Sequence, residues 1–299
     1  MVKFSIVIPL GIGRNAEVLD SLKRITYKDY EIIIKKGNNA SENRNSGAKE
    51  SKGDIIFFVD DDAYLDENIL NLADRFFQDN PSIDLVGGPQ LSPKSDGIFA
   101  RISGYALSSY LGSYNMRYRY KKGKLNLDAD SNYLTSANCF IRKTSFKKIG
   151  DFKTDLYPGE DIEFFERAKL NGFKLAYNPD LVIYHKRRRN PYLFSKQIFN
   201  YGMVVFSRVR KYNQRLNPLL LVPSFFVSYL VLLPFLYFIN ILFLLPILLY
   251  SLIIIVYSLF ISIRNLDVLA LIILPFSFLL MHLSYGVGLI YGLVHKVYK

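Results

Sequence analysis

Two things are scarce in this sequence of 299 residues: cysteine, and charge in the part that follows residue 217. The single cysteine, Cys139, excludes a disulfide within the chain and fits a reducing compartment. From Pro218 to Tyr291 the formal charges are Arg264 and Asp267 alone. Soluble domains do not leave so long a stretch almost free of charge. The composition therefore disfavours a single very hydrophobic globular domain and indicates membrane helices.

Three runs in this region are long enough for a membrane helix, which needs about 20 apolar residues. They are Leu219–Ile239, Ile241–Ile263 and Val268–Tyr291. Pro234 and Pro246 fall inside two of them and could mark kinks or re-entrant turns. We therefore expect a transmembrane region over residues 218–299 with two to three helices, and four as the upper limit.

Acidic residues are absent from Leu181 to Arg215, a stretch that contains nine lysines and arginines. Residues 1–180 are almost balanced, with 26 basic and 25 acidic side chains. A nucleic-acid-binding domain would spread its positive charge over the folded part, so we expect no nucleic-acid partner. Basic residues just before a first membrane helix are typical of a cytoplasmic flank and attract anionic lipids. Residues 191–217 are therefore predicted to form a basic juxtamembrane segment.

The N-terminal stretch VKFSIVIPL is too short an apolar run for a secretion signal and has no small-residue cleavage pattern. We expect no cleavable signal, and hence a multi-pass protein of the plasma membrane whose soluble part faces the cytoplasm. The positive-inside rule also mildly favours a cytoplasmic position for Lys296 and Lys299.

Strands and helices alternate along the first 90 residues. Strands are predicted at 4–9, 30–34, 55–59 and 85–88, and helices at 16–23, 41–51 and 66–77. This alternation is typical of an α/β fold with a mostly parallel sheet. We place the domain over residues 1–190. Ligands of such sheets bind beyond the carboxyl ends of the strands.

Three consecutive aspartates, Asp60, Asp61 and Asp62, follow the buried run Ile55–Val59. Like charges at the exit of a buried strand repel one another unless a cation offsets them. Alternation along the strand points Asp60 and Asp62 the same way and Asp61 the opposite way. Carboxylate oxygens suit Mg²⁺ or Mn²⁺, although acidic triplets also occur on solvated loops. The first and third aspartates are therefore a candidate metal site.

A second polar cluster follows further along the chain. Gly159, Glu160 and Asp161 lie at the start of a predicted helix, Ile162–Leu170. The helix dipole favours acids in a first turn, so these carboxylates either cap the helix or include a general base. His185 ends the predicted strand LVIYH, where a histidine is either structural or a metal ligand.

Residues 103–120 are rich in tyrosine. The five tyrosines are Tyr105, Tyr110, Tyr114, Tyr118 and Tyr120, with Arg117 and Arg119 among them. Such a segment lies at a membrane interface, lines an acceptor groove, or forms an ordinary surface helix with aromatic packing.

Five stretches of the sequence carry recognisable motifs, and their order along the chain is informative. They are FSIVIPL, NRNSGAKESKGDIIFFVDDD, GP with SANCFIRKTSFKKIGDF, GEDIEFFERAKLNGFKLAYNPD, and VIYHKRRR. This order resembles the family-two glycosyltransferases of the GT-A fold, particularly membrane-tethered enzymes of polysaccharide and lipid-linked glycan synthesis. The resemblance covers residues 3 to about 205 and implies a GT-A catalytic domain with a Rossmann-like, mostly parallel sheet. A C-terminal α-helical transmembrane region would follow it.

The resemblance implies a role for each candidate. Asp60, Asp62 and His185 would hold Mn²⁺ or Mg²⁺ on the diphosphate of a nucleotide-sugar donor. Asp161 would be the catalytic base that takes the proton of the acceptor hydroxyl, with Glu160 as its neighbour. The residues implied in donor binding are Pro9, Leu10, Arg44, Asn45, Asp60, Asp61 and Asn138.

The implied reaction moves one sugar, with inversion at the anomeric carbon, from a UDP- or GDP-sugar to a membrane-embedded acceptor. The expected acceptor is a polyprenyl phosphate or a lipid-linked saccharide. Two departures from the family pattern bear on this reaction. Lys35 and Lys36 stand where many relatives have V-D-D-G-S, which leaves the nucleobase open. The Q-x-x-R-W motif of processive synthases is missing, since Gln197 is followed by IFNYG.

Two alternatives stay open at this point. A nucleotidyltransferase acting on a sugar or lipid phosphate would also use paired aspartates, with LGIGR as its phosphate-binding loop, but the helix of Glu160 and Asp161 has no role in it. A membrane-anchored scaffold that only binds a nucleotide sugar is disfavoured, because the spans lack paired charges, with His282 as a lone exception. The oligomeric state has no sequence signal.

Overall fold

The computed structural model describes residues 3–156 and 158–295. The chain forms two compact units. The sheet unit is Met1–Pro93 with Asn115–Lys186, and the helical unit is Lys94–Tyr114 with Arg187–Lys299. The C-terminal lysines 296 and 299, whose side of the membrane was predicted, lie outside the described residues. The domain limits at residues 190 and 217 stay a prediction.

The sheet unit has nine strands in its described residues. They are β1 (Phe4–Leu10), β2 (Tyr30–Lys36), β3 (Ile55–Val59), β4 (Ala63–Leu65), β5 (Leu85–Gly87), β6 (Gln90–Leu91), β7 (Asn138–Arg142), β8 (Leu175–Tyr177) and β9 (Ile183–His185). The large sheet has the order β2-β1-β3-β7-β5-β8, and the small one β4-β9-β6. In the large sheet β7 runs against both of its neighbours and the other strands run parallel. This mixed, mostly parallel sheet confirms the predicted α/β fold.

The helices connect and cover these strands or form the helical unit. Within residues 3–156 and 158–295 they are α1 (Val18–Leu22), α2 (Ala40–Glu50), α3 (Ile69–Asp79), α4 (Ile98–Leu107), α5 (Tyr110–Ser113), α6 (Lys143–Ile149), α7 (Glu160–Leu170), α8 (Pro191–Met203), α9 (Val205–Tyr212), α10 (Val222–Ile239), α11 (Leu245–Asn265) and α12 (Val268–Val294). Short 3-10 helices cover Tyr114–Arg119, Pro218–Leu221 and Ile241–Leu244. The helical unit holds α4, α5 and α8 to α12.

The core of the sheet unit lies on both faces of β3, whose five residues are all buried. Alternate side chains of a strand enter opposite faces, so Phe57 joins one core cluster and Phe58 the other. Phe57 stacks on Phe140 with ring centroids 3.9 Å apart, and Phe58 meets Phe152 edge-on at 5.3 Å. Each buried phenylalanine contributes about 1.5–3 kcal/mol. This packing holds the end of β3, and with it the aspartates that follow.

The small sheet brings a distant histidine to the same place. In the antiparallel pairing of β4 with β9, Ala63 lies opposite His185. Because Ala63 directly follows Asp62 in the chain, this register places the histidine beside the aspartates.

Three helices in the described part of the helical unit are long and apolar enough to cross a membrane. They cover Pro218–Ile239, Ile241–Asn265 and Val268–Val294, close to the predicted spans. Pro234 lies inside α10, whereas Pro246 lies in the first turn of α11, where proline is tolerated. The predicted C-terminal membrane helices are therefore present as long apolar helices.

Close packing joins α8 to α12. A Cβ at Gly288 would overlap the carbonyl oxygen of Phe199, and one at Gly292 that of Met203. Ser195 and Ser284 lie further along the same contact, with their hydroxyl oxygens 2.6 Å apart. Small residues at these positions let the two helix backbones lie directly against each other, as they do in membrane helix pairs.

Candidate active site

Two aspartates and a histidine converge beyond the carboxyl end of β3. Asp60 and Asp62 follow that strand, and His185 is the last residue of β9. One ligand atom from each of the three lies within 4.8 Å of the others. The Nε2 atom of His185 is 2.9 Å from Asp62 Oδ1 and 3.8 Å from Asp60 Oδ2. The structure thus brings together the three residues that the sequence singled out as metal ligands.

The chemistry of this set fits a hard divalent cation. Mg²⁺ and Mn²⁺ prefer carboxylate oxygens, and an imidazole nitrogen is compatible with a transition metal such as Mn²⁺. The Nδ1 atom of His185 is buried and has no hydrogen-bond partner among the described residues. Buried polar atoms without a partner are rare and often mark a functional or ion-binding site.

Arg14, from the loop after β1, contacts the second and third of the three consecutive aspartates. Its Nη2 atom lies 2.9 Å from Asp61 Oδ1 and 2.7 Å from Asp62 Oδ2. Gly11 leaves room for this conformation, because a Cβ there would come 2.9 Å from Arg14 Cδ. Burial by itself would raise the pKa of Asp62, but His185 and Arg14 outweigh it and hold that pKa well below its usual value. Asp62 is therefore ionised, as a metal ligand has to be.

Asp61 has a different environment from its two neighbours. Burial raises its pKa to about 6, although the positive charge of Arg14 opposes the shift. Its Oδ2 atom is buried without a hydrogen-bond partner in the described part of the chain. Asp61 is not a member of the convergent ligand set. Its role in donor binding stays a prediction.

A second pair of carboxylates lies at the N-terminus of α7. Gly159 precedes this helix with φ of 117°, a left-handed conformation that glycine adopts without strain. Its N–H donates a hydrogen bond of 3.0 Å to the carboxylate of Glu160. The Oδ1 atom of Asp161 accepts a hydrogen bond of 2.7 Å from the N–H of Ile162. Both acids therefore take part in the first turn of the helix, as the sequence predicted.

Arg44 connects the two groups of carboxylates. From α2, its Nη2 atom lies 2.8 Å from Asp60 Oδ1, and its Nη1 atom lies 3.1 Å from Glu160 Oε1. Arg44 and Glu160 are both buried. Burial and the charge of Asp161 raise the pKa of Glu160 above its usual range, while Arg44 opposes the shift. One arginine thus sets the spacing between the metal candidates and the acids of α7.

Two arginines at the site were not predicted by sequence reasoning. Arg14 lies in the glycine-bearing loop LGIGR, and Arg119 lies among the tyrosines of residues 103–120. The Nη1 atom of Arg119 is 3.3 Å from Asp161 Oδ2, and Nη2 donates to the carbonyl of Ser131. In the sequence, Arg14 is marked only by its glycine-bearing loop and Arg119 only by its basic, tyrosine-rich segment. Neither signal shows which carboxylate the arginine contacts.

The remaining donor-binding candidates occupy the same edge of the sheet or its supports. Pro9 and Leu10 are the last residues of β1. The amide of Asn45 exchanges hydrogen bonds of 2.8 and 2.9 Å with the main chain of Phe152, so it holds a neighbouring loop. Asn138 is fully buried and donates to a main-chain carbonyl at 2.8 Å. Their contacts with a donor stay predictions.

The family of the chain follows from its sequence as a whole. A family model described as "Glycosyl transferase family group 2" matches residues 55–295, well over half of the chain. The chain belongs to this family. The predicted family and transferase class are therefore confirmed, and the mixed, mostly parallel sheet agrees with the predicted α/β fold.

The relatives of this glycosyltransferase are distant. Glycosyltransferase AglE of Haloferax volcanii is 26% identical over 177 residues, which cover 57% of this chain and 52% of that protein. A dolichyl N-acetyl-alpha-D-glucosaminyl phosphate 3-beta-D-2,3-diacetamido-2,3-dideoxy-beta-D-glucuronosyltransferase of Methanococcus voltae is 26% identical over 203 residues, or 65% of this chain and 61% of that protein. The chain thus spans about half to just under two thirds of the length of these relatives.

The chain also aligns with solved structures. S. aureus TarS 1–349 in complex with UDP-GlcNAc has a TM-score of 0.48 and 17% identity, and the match covers 68% of this chain and 67% of that one. The mannosyltransferase PcManGT of Pyrobaculum calidifontis, in complex with GDP-Man and Mn²⁺, has a TM-score of 0.49 and 13% identity, with 72% and 66% covered.

Proposed function

We propose that this glycosyltransferase moves one sugar, with inversion, from a UDP- or GDP-sugar to a lipid-linked acceptor and requires Mn²⁺ or Mg²⁺. One observation carries the proposal. Asp60, Asp62 and His185 converge at one edge of the sheet, and Arg44 joins them to the acids of α7. Transfer of a sugar needs a stabilised leaving group and a base for the incoming hydroxyl, and the two groups of side chains are suited to these two tasks.

The first group would bind the donor diphosphate. Asp60, Asp62 and His185 would hold the divalent cation. When bound, that cation supplies positive charge that stabilises the departing nucleoside diphosphate. Arg14 adds a second positive charge at the same edge, on a long side chain that can also reach phosphate oxygens.

The second group would activate the acceptor. Asp161 is the proposed base, because a carboxylate that takes the proton of the acceptor hydroxyl makes its oxygen a better nucleophile. Arg119 contacts its carboxylate on one oxygen and the amide of Ile162 contacts the other, so the side chain is held in place. Glu160, bound to Arg44, supports this arrangement rather than contacting substrate.

Two observations support a lipid-linked acceptor. The relative from Methanococcus voltae carries a dolichyl phosphate sugar in its name. The described part of this chain also has three helices that are long and apolar enough to cross a membrane. We infer a polyprenyl phosphate or a polyprenyl-diphosphate-linked saccharide as acceptor, with the sheet unit on the cytoplasmic side. The basic run at residues 186–189 supports this orientation.

A donor screen tests the proposal. The full chain in nanodiscs, with Mn²⁺ and a polyprenyl phosphate, is incubated with UDP- and GDP-sugars, and nucleoside diphosphate and glycosylated lipid are measured. We expect release of one nucleoside diphosphate together with labelled lipid, loss of both on treatment with EDTA, and recovery with added Mn²⁺. Asp62→Asn should lower the rate by about 100-fold or more, the scale of lost charge stabilisation.

Asp79→Asn, on the exposed end of α3, is the matched control and should keep the wild-type rate. Release of a sugar 1-phosphate in place of a nucleoside diphosphate would indicate that the nucleotidyl group is transferred to the lipid phosphate instead. Absence of turnover with every donor in the presence of metal would contradict the proposal.

A further inference from the structure

One segment of the helical unit comes from an unexpected part of the sequence. Lys94–Tyr114 lies between strands of the sheet unit in the chain, yet it belongs to the helical unit. Its two helices, α4 and α5, both pack against α12. We propose that this segment, which we call the α4–α5 segment, is inserted among the lipid acyl chains of the bilayer. The proposal rests on the membrane location of α10 to α12 that is part of the proposed function.

An ion pair ties α4 to the start of α12. Arg101 approaches the carboxylate of Asp267 with Nη2 at 2.9 Å and Nε at 3.0 Å from Oδ2. Asp267 is the residue that precedes α12, and it is one of two charged residues between 218 and 291. Charged side chains at membrane helices are costly unless they are paired. The pairing therefore suits two residues that both lie in or next to the hydrocarbon.

The backbone of α5 is bonded by polar side chains of the long helices. The N–H of Tyr110 donates to the hydroxyl of Tyr257 in α11 at 3.2 Å. The carbonyl oxygen of Leu111 lies 3.1 Å from Nε2 of His282 in α12, and the other ring nitrogen of that histidine lies 2.8 Å from the hydroxyl of Tyr250. Irregular backbone is tolerated at membrane depth only where protein groups satisfy it. The lone histidine of the spans thus has a structural task here.

The spacing of these contacts shows how far the segment extends along α12. Asp267 and His282 are fifteen residues apart along one helix, which corresponds to about 22 Å of its axis. The α4–α5 segment contacts both residues, so it extends beside α12 over most of this distance. The hydrocarbon core of a bilayer is about 30 Å thick. A segment that touches both points of a membrane-spanning α12 therefore lies at least partly inside the hydrocarbon.

The outward side chains of the segment are suited to lipid. Ile98–Leu107 is an apolar helix too short to cross a membrane. Large side chains of the segment face outward at Ile98, Tyr110 and Tyr114, of which Tyr110 is 56% exposed. Tyrosine is favoured where apolar and polar surroundings meet, at the edges of the bilayer. Of the three predictions for the tyrosine-rich residues, the membrane location is the one that these contacts favour.

The absence of tryptophan from the chain allows a direct test. Single-tryptophan variants are placed in nanodiscs whose acyl chains carry bromine, and the loss of fluorescence measures contact with lipid. Tyr110→Trp is the test variant. Phe238→Trp in α10 and Leu170→Trp at the end of α7, each replacing a side chain 86% exposed, are the lipid and water references.

We expect Tyr110→Trp to be quenched as strongly as Phe238→Trp and far more strongly than Leu170→Trp. If Phe238→Trp is quenched but Tyr110→Trp is quenched no more than Leu170→Trp, the inference about the α4–α5 segment is wrong. The proposal of membrane helices would be unaffected by that result. If Phe238→Trp itself is not quenched, the membrane location on which both proposals rest is wrong. Ile98→Trp repeats the test at the other end of the segment if Tyr110→Trp does not fold, and the same two outcomes decide it.

Discussion

Charged side chains are crowded in the sheet unit and sparse in the long apolar helices α10 to α12 of the helical unit. In the sheet unit three aspartates in a row share Arg14, Arg44 and His185, and several bonds cross between elements distant in sequence. In the helical unit Arg101 pairs with Asp267. In the sheet unit, a cation that arrives with a ligand can therefore replace the arginines and the histidine that pair with the carboxylates.

The second arrangement suits surroundings without water, where a polar group that loses its partner has no substitute. Contact between α8 and α12 depends on glycines and on one pair of serines rather than on charge. The difference suggests that substitutions of charge will alter the chemistry or the stability of the sheet unit, whereas substitutions of size will alter the stability of the helical unit.

The largest effect is expected at Asp161. Asp161→Asn removes the proposed base and should lower sugar transfer by about 10²- to 10⁴-fold, the usual contribution of general base catalysis. Donor binding should persist, because the residues of the metal site are unchanged. Transfer of labelled sugar to lipid at saturating donor measures the effect. Asp128→Asn, on an exposed turn, is the control, and transfer by Asp161→Asn at the wild-type rate would exclude Asp161 as the base.

Arg44 should be the most sensitive position for the stability of the sheet unit. Arg44→Met leaves Asp60 and the buried Glu160 without their shared cation, and the loss of one partner from a buried ion pair costs about 3–5 kcal/mol. Thermal unfolding can be followed by the reactivity of Cys139, the single cysteine, which is buried. Arg75→Met, on the exposed face of α3, should unfold at the wild-type temperature. Equal stability of the two variants would mean that Arg44 does not hold the two groups together.

A larger side chain at the contact between α8 and α12 should destabilise the helical unit. Gly288→Leu places a side chain where the carbonyl of Phe199 lies and should separate α8 from α12. Overpacking of this kind costs typically about 1–3 kcal/mol. The unfolding temperature in nanodiscs should fall, whereas Val287→Leu, at an exposed neighbouring position, should leave it unchanged. An unchanged unfolding temperature for Gly288→Leu would show that the contact does not contribute to stability.

The smallest effect is expected at Arg14, which is about half exposed. Exposed ion pairs contribute little to stability, so Arg14→Gln should fold normally. Its removal takes a competing positive charge from Asp61 and Asp62, and Mn²⁺ should bind several-fold more tightly in the absence of donor. Mn²⁺ titration followed by electron paramagnetic resonance measures this, with Arg24→Gln as the exposed control. Weaker binding would instead mean that Arg14 helps to build the site.

Much of the fold was predictable because its signals are local. The bounds of β3 were predicted as observed, since five consecutive apolar residues end abruptly at three charges. The helix after Gly159 and the long apolar helices after residue 217 were also predicted from signals that neighbouring residues carry. The metal candidates came from a local triplet plus a histidine that only the family resemblance linked to it.

Other parts of the site lie beyond local patterns. Arg14 and Arg119 are ordinary basic residues in sequence, and their contacts with Asp62 and Asp161 depend on how loops distant in the chain come together. The amide of Asn45 bonds to the main chain of Phe152, a contact between positions far apart in the chain, and its role in donor binding stays a prediction.

Periodicity and length of apolar runs are properties of neighbouring residues, and they account for the α/β sheet, its two-sided core and the long apolar helices near the C-terminus. Strand register and side-chain packing between distant positions decide which charged side chains pair and which helices a segment packs against. The pairing of Ala63 with His185 and the membership of Lys94–Tyr114 in the helical unit are of this second kind. Both follow from long-range contacts, whose energies depend on a neighbour that the local sequence does not specify.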